Sequence, residues 1–303
     1  MKNKMVLIQV IIICFAILII SCENSNPGPE ISVSYPEFRD ESEVIIDGYN
    51  KDAMEPFISK DGIFLFFNSL NDGDSTSLYY ATKVNDTVFN FEGEIGGVNG
   101  QVPHLDAVAS MDTNNVFYFV STRNYPDVFE NYQTGEFDNG VVTDVEPVRG
   151  DFYVYEPGWL IMDAEINGNG NLLYYVNSKF GGNPLPDEAR LGAAEKIDSV
   201  FEKLDDSEDI FRNINNFGCL VYAPCISSDG KEIYFTRIVK GTFTAQICVS
   251  VRSDTAVTFS VPRILEIEGE SVEAPSLTEN GERLYYHKKL GDNKYHIFMM
   301  RRE

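Results

Sequence analysis

Five copies of one short pattern run the length of this 303-residue chain. They read EPFISKDGIFLFF from Glu55, DAVASMDTNNVFYF from Asp106, DAEINGNGNLLYY from Asp163, YAPCISSDGKEIYF from Tyr222 and EAPSLTENGERLYY from Glu273. Each joins a short apolar stretch to a turn containing Asp or Asn, usually followed by Gly, and then to an aromatic-rich strand. The aromatic pairs are Phe66-Phe67, Tyr118-Phe119, Tyr174-Tyr175, Tyr234-Phe235 and Tyr285-Tyr286, and they begin 52, 56, 60 and 51 residues apart. A period near fifty with a hairpin in each copy predicts propeller blades.

A third strand follows each hairpin: LYYATK at Leu78, VFENYQ at Val128, LGAAEK at Leu191, ICVSVR at Ile247 and IFMMRR at Ile297. Propensity alone would make LGAAEK a helix, but its place in the repeat makes it a strand. A fourth strand opens near Phe89, Phe137, Phe201 and Phe259, and runs to Ile95, Val145, Ile210 and Ile267. The fifth copy ends at Glu303 without one. The segment YPEFRDESEVIID, from Tyr35 to Asp47, has the same Phe-acidic-aliphatic form and precedes the first hairpin. The expected fold is all-β: a five-bladed β-propeller of four-stranded blades over residues 35–303, its last blade closed by an N-terminal strand. Closure hides the edges that an open array of sheets would expose.

The turn pairs Asp61-Gly62, Asn169-Gly170, Asp229-Gly230 and Asn280-Gly281 suit type I′ hairpins, whose two central positions need positive φ, so structure explains them better than metal binding. The hairpin pattern of Pro, then Ser-x-Asp-Gly, then a Tyr/Phe-rich strand resembles the WD-like repeat of the TolB-type β-propellers. The best copies are Pro56 to Phe67 and Pro224 to Phe235; the second has Thr113-Asn114 after Asp112 and lacks the glycine. The resemblance implies a fold and no particular activity, since such repeats occur in scaffolds, periplasmic assembly factors, peptidases and polysaccharide-active enzymes.

The chain opens MKNK and stays apolar from Met5 to Ile20, broken only by Gln9. As a helix that run spans about 24 Å, short of the roughly 30 Å hydrocarbon core, so it reads as a secretory signal. Ile19-Ile20-Ser21-Cys22 resembles the bacterial lipobox. That resemblance implies a signal peptide over 1–21, lipidation (palmitate) at Cys22 and a polar tether over 22–34. The expected place is the bacterial cell envelope, held to a membrane through the N-terminal lipid, in the periplasm or at the outer-membrane surface. Cys219, Cys225 and Cys248 remain, an odd number that reads as buried free thiols.

Asp and Glu number 47 against 24 Lys and Arg, a net charge of -23. That balance excludes nucleic acid as a partner, because such binding rests on Lys and Arg contacts to phosphates. No G-x-S-x-G elbow occurs, and His104, His287 and His296 fall at different blade positions. They read as surface or strand-end residues, forming neither a triad nor a three-histidine metal site. The acids are the candidate set. Glu55, Asp106, Asp163 and Glu273, with Glu165 two residues past Asp163, stand early in the inner hairpin strands, where blades line the central channel; the fourth blade has Tyr222 there. They are candidate ligand- or cation-binding residues, with calcium as the expected counter-charge and no other cofactor implied. Carboxylates around a five-bladed axis are also similar to those of arabinanase-type glycosidases. Two functions follow: a binding or assembly module for envelope protein or polysaccharide partners, and, alternatively, a glycosidase or lyase using the acidic channel residues. The lack of a catalytic constellation favours the first.

Overall fold

The computed structural model describes residues 34–303 apart from 72, 74, 101, 102 and 217. The signal, the lipobox with Cys22 and most of the tether lie outside the described residues. The chain first lays down β1 (Phe38–Glu43) and β2 (Ile45–Asp47). Blade 1 follows as β3 (Met54–Ile58), β4 (Phe64–Asn68), β5 (Leu78–Asn85) and β6 (Val88–Glu94). Blade 2 comprises β7 (Asp106–Met111), β8 (Val116–Ser121), β9 (Tyr132–Asp138) and β10 (Val141–Pro147). Blade 3 comprises β11 (Trp159–Ile166), β12 (Leu172–Lys179), β13 (Glu188–Ile197) and β14 (Val200–Lys203). Blade 4 is β15 (Cys219–Ile226), β16 (Glu232–Val239), β17 (Ala245–Val251) and the two-residue β18 (Arg263–Ile264). Blade 5 is β19 (Glu270–Leu277), β20 (Arg283–Lys289) and β21 (Tyr295–Arg302), completed by β1.

The aromatic pairs explain the packing. Successive residues of a strand face opposite sides of the sheet. The first aromatic of each pair therefore packs on the following blade and the second on the preceding one. Phe66 joins Phe117 and Phe137 of blade 2, while Phe67 joins Tyr285 and Met299 of blade 5. Tyr234 meets Leu284 and Tyr286 of blade 5, and Phe235 meets Tyr174 and Val176 of blade 3. The result is five apolar cores, one between each pair of neighbouring blades.

Several local readings shift. Only Phe38–Glu43 closes blade 5, with Phe38 opposite Arg302; Ile45–Asp47 crosses to blade 1 and pairs in parallel with β6. The terminal segment thus staples the last blade to the first. In blade 2 the third strand starts at Tyr132, because Val128 lies in an exposed loop. The fourth starts at Val141, after a two-residue turn at Asn139-Gly140. In blade 3 the fourth strand stops at Lys203, and the short helix α1 (Ser207–Ile210) leads Ile210, Phe211 and Ile214 into the core against blade 4.

The Asp-Gly hairpins are not type I′. Only the glycine takes positive φ, 72° at Gly62, 69° at Gly230 and 70° at Gly281. Each is a wider loop around a type I turn, with Gly62 N–H donating to Ser59 O at 2.8 Å. The Ser-x-Asp signature supplies side-chain bonds that a two-residue turn does not need. Ser59 Oγ donates to Asp61 Oδ1 and accepts from Phe64 N–H at 2.9 Å; Ser227 and Asp229 repeat the arrangement in blade 4. True type I′ geometry appears instead at Asn139-Gly140, with φ of 47° and 85°.

Deleting residues 35–43 unpairs β21 along its whole outer edge. The expected outcome is a lower melting temperature and a shift to higher-mass species, read by thermal melts and size-exclusion chromatography. A truncated protein that melts with its parent would contradict closure by β1.

Candidate functional site

The inner strands do not run straight to the axis. Their ladders shift register between Met54 and Phe57, Ala107 and Ser110, Tyr222 and Cys225, and Glu273 and Ser276. At each of these β-bulges one residue takes a positive φ: 49° at Glu55, 56° at Val108, 48° at Ala223 and 55° at Ala274. A bulge re-aims side chains and turns an N–H out of its ladder. That N–H needs another acceptor, and the preceding blade provides it. Glu55 N–H donates to His287 Nδ1 at 3.0 Å, Val108 N–H to Asn68 Oδ1 at 3.1 Å and Ala274 N–H to Thr236 Oγ1 at 2.9 Å. Ala223 N–H donates to the Asp163 carboxylate.

Deeper in the channel, a second set of bonds crosses the junctions of blades 2 and 3, 3 and 4, 4 and 5, and 5 and 1. Ser110 Oγ accepts from Ile166 N–H at 3.0 Å, Glu165 Oε2 from Ile226 N–H at 2.8 Å, Cys225 Sγ from Leu277 N–H at 3.1 Å and Ser276 Oγ from Ile58 N–H at 3.0 Å. Blade 1 has Phe57 at this place, with Lys60 Nζ lying 5.3 Å from its ring.

Because strands alternate in direction, the interblade connections and the links between second and third strands share one face. The Asp-Gly hairpins occupy the other. Toward the first face, Glu55, Asp163 and Glu273 approach one another from blades 1, 3 and 5. Glu55, Glu273 and Tyr222 are partly exposed at this mouth, whereas Asp163 is only 2% exposed. Tyr222 donates its hydroxyl to Glu273 Oε2 at 2.7 Å, and Asn68 Nδ2 donates to Glu55 Oε2. Asp163 Oδ2 is buried without a partner, and so is His287 Nε2. Beneath the mouth is a cavity of about 30 Å³, lined by Glu55, Asp163, Glu165 and the bulge backbones, with room for about two waters.

The charges in this space are settled by protons. Burial, then the Asp163 and Glu273 carboxylates, push Glu55 up to about 8, against the pull of Asn68. Burial, opposed by the Ala223 N–H and helped by Glu273, raises Asp163 to about 7. Glu273 is also raised by burial, with the Tyr222 hydroxyl opposing. His287 is pushed down to about 3 by burial, so its ring is neutral. Its Nδ1 accepts from Glu55 N–H, which leaves the ring proton on Nε2.

The hairpin end is sealed. Lys60, from the first hairpin turn, crosses the axis to Glu165 of blade 3, with Nζ 2.7 Å from Oε1 and both side chains about 95% buried. Burial opposes the Lys60 charge, yet Glu165 beside it raises the ammonium's pKa overall. Cys225 lies against this pair, its thiol pushed well up by burial and then by Glu165. Cys219, Cys225 and Cys248 are all free.

Of the five acids singled out in the sequence, Glu55, Asp163 and Glu273 face one another. Glu165 belongs to the plug. Asp106 does not line the cavity: it lies two residues before the bulge at Val108, so its carboxylate turns to Arg123 Nη2 at 2.8 Å and Gly100 N–H at 2.6 Å. Sequence reading placed His287 at a surface or strand end, but it is 1% exposed inside β20. A signal for it exists. Two residues after the first aromatic, the repeats carry Asn68, Val120, Val176, Thr236 and His287, and the three polar members accept the bulge N–H. Among the described residues no three His, Cys, Asp or Glu side chains come together closely enough to hold a metal ion.

Comparison with known protein families and with curated proteins returns no match. Solved structures do match. A family 117 glycoside hydrolase from the marine bacterium Zobellia galactanivorans is 10% identical, with a TM-score of 0.54 over 88% of this chain and 90% of that one. An endo-arabinase from Bacteroides thetaiotaomicron is 14% identical, with a TM-score of 0.51 over 86% of this chain and 97% of that one. TolB from Acinetobacter baumannii is 12% identical with a TM-score of 0.45, and the chain spans 54% of its length. The likeness is one of fold. The chain is a five-bladed propeller that shares its fold with these glycoside-hydrolase propellers.

Two outcomes follow from the channel electrostatics. Glu55 and Asp163 hold protons in the folded state that the unfolded chain releases near pH 4. Their contribution to stability is therefore complete below about pH 4 and is lost as pH rises through 7 and 8. Glu55→Gln combined with Asp163→Asn raises the melting temperature relative to the parent at pH 9 and leaves it nearly unchanged at pH 4. At the plug, Lys60→Met strands a buried carboxylate and costs about 3–5 kcal/mol in denaturant unfolding. Adding Glu165→Gln, which still accepts from Ile226 N–H, recovers most of that loss.

Proposed function

We propose that this propeller acts on glycans, with the mouth of the central channel as an acid–base site for glycoside cleavage. The observation that carries the reading is the convergence of three carboxylates from three blades on one mouth, where burial raises the pKa of each. Glu55 keeps its proton up to about pH 8, as a general acid must, while Glu273, raised by burial and bonded by the Tyr222 hydroxyl, faces it as the second carboxylate. The nearby Asp163 carboxylate, itself raised to about 7, helps keep the proton on Glu55. The cavity of about 30 Å³ is too small for a sugar ring, so the scissile bond lies over the mouth against the exposed parts of Glu55, Glu273 and Tyr222. The glycoside-hydrolase propellers of similar architecture support this reading through fold alone.

One observation favours a second reading, in which the ring only binds an envelope protein or polysaccharide. Each mouth carboxylate already has a partner, in Asn68, Ala223 N–H or Tyr222. In either case the proposed setting is the bacterial envelope, with the chain held by lipid at Cys22; Cys22→Ala then releases it from the membrane fraction. Calcium at the mouth is also a proposal, checked by whether EDTA and then calcium at fixed ionic strength move the melting temperature.

The deciding experiment is reducing-end release from a panel of polysaccharides, arabinan included. Cleavage is expected to fall on the alkaline side as Glu55 loses its proton near pH 8, and Glu55→Gln lowers kcat by about 10²-fold or more. Binding without turnover on any substrate decides for the second reading.

A further inference from the structure

Far from the axis, on the same face as the mouth, a second concavity lies where blade 2 meets blade 3. It has a volume of about 340 Å³ and is lined by Glu130, Glu146, Pro147, Val148, Arg149, Gly150 and Tyr155. It shares no lining residue with the central cavity. The volume lies at the small end of the range for small-molecule sites.

Its walls are fixed. Phe201 N–H donates to Arg149 O at 2.8 Å and Asp151 N–H donates to Phe201 O at 3.1 Å, so the floor of the concavity is bridged to β14 of the next blade. Gly150 permits that bridge, because a Cβ there would lie 2.4 Å from Phe201 O and 2.5 Å from the Phe152 ring. Val148 N–H donates to Tyr132 O at 2.9 Å, and Tyr153 donates its hydroxyl to Val148 O at 2.7 Å.

Tyr155 is the prominent wall. It is 56% exposed, yet its ring is held edge-on by Phe129 at 6.1 Å and Tyr153 at 6.2 Å, and its hydroxyl donates to Glu130 Oε1 at 3.1 Å. A large ring locked in place while more than half open to water is a preorganised platform, because little conformational freedom is left to lose on binding. Around it stand Glu130, Glu146 and Arg149, the last two 3.8 Å apart and largely solvated. They offer carboxylate acceptors and guanidinium donors at the edge of an apolar ring. Hydroxyls projecting from a ring with an apolar C–H face match both features. Two carboxylates and one guanidinium, in a chain of net charge -23, disfavour an anionic ligand.

We propose that this rim concavity binds a neutral sugar residue of a glycan, with Tyr155 as the stacking platform and Glu130, Glu146 and Arg149 as its hydrogen-bonding edge. The assignment rests on the glycan reading of the central mouth but does not need cleavage there: the rim holds the chain while the mouth acts on it.

The test applies the full chain to an array of neutral and acidic polysaccharides. The expected result is binding to neutral glycans that Tyr155→Ala weakens about tenfold, or 1.4 kcal/mol. Tyr155→Phe, which keeps the ring, retains most of that binding, and Glu55→Gln leaves it intact. Melting temperatures confirm that the variants fold, since Tyr155 lies outside the interblade cores. Binding that survives Tyr155→Ala, absence of binding to every neutral glycan, or preference for acidic glycans each overturns the rim site. Rim binding without hydrolysis overturns only cleavage at the mouth, so the two failures are separate.

Discussion

A backbone N–H turned out of its own sheet is the constraint around which this propeller is organised. Each bulge in β3, β7, β15 and β19 takes one donor from the ladder, and a buried donor left alone costs about 1–3 kcal/mol. The nearest available acceptor is a side chain on the preceding blade, so satisfying one sheet fixes its position against the next. His287, Asn68, Thr236 and Asp163 all serve that purpose with different chemistries. The same bulges aim Glu55 and, one residue before the bulge at Ala274, Glu273 toward the axis. Blade registration and site geometry are therefore one problem with one solution.

The channel handles its charge differently at its two ends. Near the hairpin face a buried carboxylate is matched by a buried ammonium, Glu165 with Lys60, and Glu165 raises the pKa of that ammonium. Near the mouth, among the described residues, no salt bridge reaches Glu55, Asp163 or Glu273, and burial together with the neighbouring carboxylates favours the protonated forms of Glu55 and Asp163. The contrast makes the mouth the chemically adjustable end and the plug the structural one. His287 stays neutral between them, its acceptor nitrogen spent on Glu55 N–H.

Legibility in the sequence tracks how local the cause is. The aromatic pairs announced blades because a strand that alternates Phe66 and Phe67 between two neighbours needs aromatics on both faces. The Ser-x-Asp-Gly turns were readable as turns but misread in type, since Ser59 and Asp61 bond across a loop wider than two residues. Asp106 shows the limit most plainly. By sequence it aligns with Glu55 and Asp163, yet the bulge at Val108 places it two residues upstream, where Arg123 takes it.

The amino-acid order alone determined five repeats, three or four strands in each, a closing strand from the other end of the chain and an acidic inner rim. These follow from periodicity, which is a property of neighbours along the chain. Only the tertiary structure decided which acids meet, that His287 is buried and accepts a hydrogen bond, that Lys60 crosses the axis to Glu165, and that Tyr155 stands open on a fixed wall at the rim. Those outcomes depend on the register of one blade against the next. Register is set by bulge N–H groups finding acceptors more than thirty residues away, and no local pattern encodes such a distance.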